Sequence, residues 1–197
     1  LPVLLLCAGC PLFQVRGEIH SGREALVIGR CEQALGHLLP VAHLNPHYVS
    51  DFTDFQEGVW TYVGRAHYQC GEWEKALKAF EKAHEEHRED HLAQLYLGLL
   101  LMRNGQESEG FREVTHGLRS LKAWLRDLDR YDSDGSYWDP GSLLEDEIES
   151  LLSRVARGDV RWQGLAPRVE RLGIELEQEI DRVLQDVHHD DGDGSDN

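Results

Sequence analysis

The feature that most constrains this chain is a self-similarity at a spacing of 34 residues. Trp60-Thr-Tyr62-Val63-Gly64 aligns on Gln94-Leu-Tyr96-Leu97-Gly98. Further along, Gly71 falls on Gly105, Ala76 on Gly110, Phe80 on Val114 and Ala83 on Gly117. A period of about 20–50 residues marks stacked supersecondary units that cannot bury their apolar faces alone. Small side chains returning at Gly64, Ala76, Gly98 and Gly110 let paired helix axes approach closely, with Trp60, Val63, Phe80 and Ala83 filling the seam. Gly71 and Gly105 stand where a first helix must end in a left-handed conformation, which glycine adopts at least cost. Glu72 and Glu74 suit the positive end of the second helix.

The first copy reads W-x2-V-G…G-x-W-x2-A-x3-F-x2-A and resembles the tetratricopeptide repeat. The second copy keeps the small residues but lacks the Trp and the central Ala. The resemblance implies an all-α protein, a short helical solenoid of two units over residues 57–124 with flanking helices. It also implies that the first helix of each unit lines a concave groove. The positions facing that groove are Tyr62, Arg65, Tyr68 and Gln69 in the first copy, and Tyr96, Leu99 and Arg103 in the second. Aromatic anchors with two arginines suit an extended peptide or partner helix. The opposing expectation is that terminal helices cover these residues and leave no open groove.

Residues 11–56 carry the marks of a degenerate earlier unit: Gly22, Gly29 and Ala34 fall on small and turn positions. The offset from Gly22 to Gly64 is 42, so a longer connection near residues 45–53 must intervene. Pro40 lies awkwardly for a second helix. Residues 22–39 therefore read as one helix and 40–50 as a loop or short helix.

Over residues 125–187 the second repeat runs on. Val114, Leu118, Leu121, Leu125 and Leu128 form one apolar stripe that ends in the turn-rich stretch 131–140. Leu144, Ile148, Leu151, Leu152 and Val155 predict another helix, closed by Arg157-Gly158. Leu165 to Val187 repeat at four and three residues, and Pro167 predicts a helix start near Leu165. This hairpin either caps the solenoid or offers a partner or dimer face. Residues 188–197 contain no apolar side chain and are expected to be disordered.

The first ten residues, LPVLLLCAGC, match the apolar region of a secretory signal. No basic residue precedes Arg16, so the sequence is expected to begin inside that signal. Leu6-Cys-Ala-Gly-Cys10 resembles a bacterial lipobox, with Ala8 and Gly9 as the two small residues and Cys10 as the lipidated one. Cys7 departs from the Leu usual at its position. Lipidation of Cys10 would leave Cys31 and Cys70 as a candidate disulfide pair in an oxidising compartment. Pro11 is not the Asp associated with inner-membrane retention, so the resemblance implies the outer membrane. The alternative is a cytoplasmic adaptor whose N-terminus packs.

Twenty Lys and Arg stand against 36 Asp and Glu, a formal net charge of −16. Such a chain repels phosphate backbones, which excludes nucleic acid as a partner. Candidate chemistry is sparse. Asp132-Ser-Asp134-Gly135 lacks the other ligands of a calcium loop, and His84, His87 and His91 miss the H-E-x-x-H spacing. No nucleophile elbow or phosphate loop occurs, so no catalytic residue, metal ligand or cofactor is assigned, with a metal- or redox-active protein as the remote alternative. The reading is a non-enzymatic scaffold of the bacterial envelope that recruits or assembles partner proteins.

Overall fold

Glycine at the predicted turns sets the architecture. In the computed structural model, which describes residues 11–51, 53–131, 138–158 and 161–190, three helical hairpins follow one another. They are α1 (Pro11–Val27) with α2 (Cys31–Leu44), α3 (Val59–Gln69) with α4 (Trp73–Glu86), and α5 (His91–Arg103) with α6 (Glu107–Tyr131). Each first helix ends in the same way. Gly29, Gly71 and Gly105 have φ of +71°, +73° and +84°. The next residue then donates its N–H five residues back: Arg30 to Ala25 O, Glu72 to His67 O and Gln106 to Leu101 O, at 2.8–2.9 Å. This is a Schellman closure, which satisfies carbonyls that the helix end would otherwise leave open.

The single helix expected over 22–39 is therefore two helices broken at Gly29. Gly22 packs on Leu38, where a methyl group built on Gly22 would lie 2.6 Å from Leu38 Cδ2, and Ala34 is fully buried. Pro40 sits inside α2 and removes one backbone bond. Burial of Leu38, Val41 and Ala42 around it holds the helix together.

The other two seams are as close or closer. A methyl group on Gly64 would lie 2.6 Å from the Phe80 ring. One on Gly98 would lie 2.7 Å from Val114 N and 2.8 Å from Gly110 O, and one on Gly110 would lie 2.5 Å from Gly98 O. Helices α5 and α6 thus touch backbone to backbone. Ala76, Phe80 and Ala83 are buried in the α3–α4 seam, while half-buried Trp60 carries the Lys82 ammonium 3.7 Å above its ring.

The longer connection between α2 and α3 is a folded loop. Val49 and Gly58 form an isolated antiparallel bridge, and the Ser50 N–H donates to Glu57 O at 2.8 Å. It buries Tyr48, Phe55 and Glu57.

Two more helices complete the described chain: α7 (Leu143–Ala156) and α8 (Trp162–Asp190). Helix α7 packs on the overrunning part of α6, and α8 runs back against α7, α5 and α1. Helix α8 begins three residues before the expected Leu165, because the Gly164 and Leu165 N–H groups both close on Arg161 O at 2.9 and 3.1 Å. It also continues through 188–190, where disorder was expected. The calcium-like stretch 132–135, the lipobox-like segment with Cys7 and Cys10, and residues 191–197 lie outside the described residues.

Candidate functional site

Arg23 and Arg65 occupy the same place in successive first helices. Each follows its hairpin's small glycine, Gly22 or Gly64, at the same 42-residue offset. Both reach toward α8, and both are buried, with 2% of their surface exposed. A guanidinium removed from water is strongly unfavourable unless it is paired and hydrogen-bonded. The partners come from α8 and from the folded loop.

Glu177 of α8 lies between the two arginines. Arg23 Nε donates to its Oε2 at 2.6 Å, and Arg65 Nη1 donates to its Oε1. Arg65 Nη1 also donates to Glu57 Oε1 at 3.0 Å, and Arg65 Nη2 to the Gly173 carbonyl at 3.1 Å. Arg23 Nη2 reaches the half-exposed Asp181 at 3.1 Å. Gly173 permits the close approach: a methyl group there would sit 3.1 Å from the Tyr96 hydroxyl and 3.5 Å from Arg65 Nη2.

The two buried carboxylates differ. Burial alone raises the pKa of each. At Glu177 the adjacent Arg65 and Arg23 outweigh burial and hold the carboxyl below its ordinary value. Glu57 faces one guanidinium, its Oε2 is buried without a partner, and burial reinforced by Glu177 and Asp90 pushes it well up. Burial also favours the neutral phenols of Tyr62 and Tyr96, the latter raised to about 12.

Asp90 stands at the neighbouring end of the repeat, 1% exposed. Its carboxylate accepts from Gly58 N at 2.9 Å and Thr61 Oγ1 at 2.6 Å, and it caps α5 through Ala93 N at 2.9 Å. One side chain thereby ties the starts of α3 and α5 together.

Among the described residues, the groove positions follow the second expectation and are largely covered. Tyr62, Arg65, Tyr68, Tyr96 and Leu99 are all buried: Tyr62 packs among the apolar residues of α1 and α2, while Arg65, Tyr68, Tyr96 and Leu99 meet α8. Gln69 spends its amide on Leu26 O at 3.0 Å. Arg103 remains exposed, but it stacks on Trp73 at the hairpin edge, 4.3 Å from the ring centroid, and does not join Arg65. The open cavities lie along that edge and the outer surface. The largest of those described, about 1050 Å³, is lined by Met102, Arg103, Phe111, Val155, Arg161 and Trp162.

Cys31, at the start of α2, and Cys70, at the end of α3, are joined by a disulfide with Cα atoms 5.5 Å apart. His84, His87 and His91 fall on α4, its cap and the start of α5. Among the described residues, no three His, Cys, Asp or Glu side chains are placed to hold a metal ion.

The family model of the tetratricopeptide repeat matches residues 58–90, the span of α3, α4 and the turn into α5. The chain carries a tetratricopeptide repeat. Together with the eight described helices, this gives an all-α, TPR-like helical fold. The α5–α6 hairpin stacks on the matched unit at the 34-residue spacing, and α1–α2 precedes it with the same glycine turn. No curated protein matches the chain. Repeats of this kind suggest a protein–protein interaction scaffold.

The sequence reading did not single out Arg23, Glu57, Asp90 or Glu177. Two signals were present. Gly-Arg recurs at the 42-residue offset, and Glu170, Gly173, Glu177 and Asp181 form a polar stripe at helical spacing beside the α8 apolar seam.

Proposed function

We propose that this protein is a non-enzymatic scaffold of the bacterial cell envelope, anchored on the periplasmic side by a lipid on Cys10, that recruits or assembles partner proteins. The repeat supports the interaction role. The observation that carries the address is the Cys31–Cys70 disulfide, because such bonds persist in oxidising compartments and are rare in the cytosol. The outer membrane is the preferred side, from Pro11 after the lipobox cysteine.

The closed concave face changes how such a scaffold works. Helix α8 already makes the contacts that a bound helix would make with Tyr96 and Arg65, so partners dock on the outer faces and hairpin edges. Metabolic labelling with radioactive palmitate tests the anchor. Label on wild type, lost in Cys10→Ser, supports it; an unlabelled wild type defeats it. Thiol trapping of the native protein tests the compartment: free Cys31 and Cys70 in vivo would favour the cytoplasmic adaptor.

A further inference from the structure

Arg103 is the concave-face candidate that the fold leaves outside, and its surroundings are unusual. Its guanidinium carbon lies 4.3 Å from the Trp73 ring centroid and 5.8 Å from that of Trp162, and the two indoles meet edge to face at 6.4 Å. Stacking fixes the plane of the guanidinium and leaves its N–H fork available. Arg103 makes no ion pair among the described residues, and neither does Arg161 across the cleft.

Arg103 also lines two neighbouring depressions. On one side is the cavity floored by Met102, Phe111, Val155 and Trp162. On the other is a smaller one of about 610 Å³ beside Trp73, Leu77 and Lys78. Carboxylates stand on the rims, Glu107 on the first and Glu72, Glu74 and Glu81 on the second, so the selective element is the arginine pair around the apolar floor of the first. In a chain of net charge −16, two arginines with no ion pair among the described residues, set beside half-buried tryptophans, form a locally cationic patch.

We infer that this hairpin edge is a docking site for an acidic, extended peptide segment of a partner protein, with one apolar or aromatic residue seated between Trp162 and Phe111 and a carboxylate forked on Arg103. Charge complementarity selects the occupant. A carboxylate gains a preorganised bidentate donor, and the apolar floor supplies the burial that a simple anion does not need. The inference rests on the scaffold reading and adds the surface and the partner chemistry.

The test is selection of random twelve-residue peptides, displayed on phage, against the immobilised full chain. Acid-rich peptides carrying an apolar residue are expected to be enriched. A fluorescein-labelled winner should bind at least tenfold more weakly to Arg103→Glu/Arg161→Glu and measurably more weakly to Arg103→Lys, which keeps the charge but loses the planar fork. Circular dichroism of each variant controls for folding, and an Arg119→Glu variant, away from the edge, should bind like wild type. Enrichment without acidic residues, or equal binding to wild type and the double variant, overturns the inference. Cross-linking in cells separates this from the broader reading. Partners retained by the double variant leave the scaffold standing without this site, whereas wild type with no cross-linked protein removes the scaffold itself.

Discussion

The first and third hairpins meet the same packing requirement by different means. Helices α5 and α6 join through a close-packed apolar seam, with Gln94 bonded to Glu113 and His116 at its side. Gly98, Gly110 and Gly117 let backbones meet, and α5 is apolar almost all round, so Leu92, Leu95, Leu99 and Leu100 are all fully buried. Helices α1 and α2 have one such close approach, Gly22 against Leu38, and a smaller apolar cluster. Their place on the solenoid is held by specific bonds: Arg23 to Glu177, Gln69 to Leu26 O, and the Cys31–Cys70 disulfide. Where side-chain volume is missing, covalent and charged links fix the geometry. The first hairpin should therefore respond to loss of single bonds, and the third to added volume.

The largest expected effect comes from the arginine that both carboxylates share, because its loss also unsettles the Glu177 partner that Arg23 of the first hairpin relies on. Arg65→Met leaves Glu57 and Glu177 buried with one cation fewer, and breaking a buried pair by removing one partner costs about 3–5 kcal/mol. Urea unfolding should show a loss of that order. Arg65→Met combined with Glu57→Leu and Glu177→Met should recover much of it, since apolar replacement of a whole buried network is often neutral. No recovery would mean that the network specifies the position of α8 beyond satisfying charge.

Next in size is the disulfide. Its 39-residue separation gives a loop-closure contribution of about 4 kcal/mol in the chain-entropy model. Cys31→Ser/Cys70→Ser should approach that loss. Hydrogen exchange should locate the loosening in α1 and α2, with α5 and α6 protected as before. Uniform loss of protection across all six hairpin helices would erase the distinction between the two regions.

Much of the fold was legible because it depends on local rules. The 34-residue register, the turn glycines, the run-on of α6 and the end of α7 at Gly158 all follow from residue types at fixed spacings. The candidate groove was not legible in the same way. Whether Tyr96 or Leu99 faces solvent depends on where α8, far along the chain, comes to rest. Glu177 gains meaning only when paired with Arg23 and Arg65. A charge in an amphipathic helix normally marks its wet face, and here it marks the face turned to the interior. Arg23 was missed because the first hairpin was read through Gly29 as one helix.

Added volume distinguishes the third hairpin. Gly98→Ala places a methyl group against Val114 N and Gly110 O, which are backbone atoms that cannot rotate away. Overpacking of this kind typically costs about 1–3 kcal/mol. Gly22→Ala meets only the Leu38 side chain, a neighbour able to change rotamer, and should cost less in the same thermal-unfolding measurement. Equal losses would show that the first seam is as rigid as the third.

A pH titration probes the junction between the folded loop and the third hairpin. His91 opens α5 beside Phe55, with ring centroids 6.4 Å apart, and burial lowers its pKa below 6.5. A folded-state His pKa below the unfolded value means that the unfolded chain takes up the proton first. The stability contributed by neutral His91 is thus full above about pH 6.5 and is lost as the pH falls below it. His91→Gln should flatten the fall in unfolding midpoint between pH 7 and 5 relative to wild type. A parallel fall in both would assign the acid sensitivity elsewhere.

The smallest expected effect has the opposite sign. Gly17 lies within α1, and a methyl group built there meets nothing within 4 Å. Its backbone is not in the left-handed region, so alanine fits without strain. Replacing a mid-helix glycine by alanine reduces the entropy of the unfolded chain and favours the helix by about 0.5–1 kcal/mol. Gly17→Ala should therefore raise the unfolding midpoint, and the gain should survive reduction of the disulfide, because a local helix preference does not depend on the Cys31–Cys70 tether. A gain that vanished on reduction would show that α1 is helical only while the bond holds it against α3, making the first hairpin a tethered element with no intrinsic stability of its own.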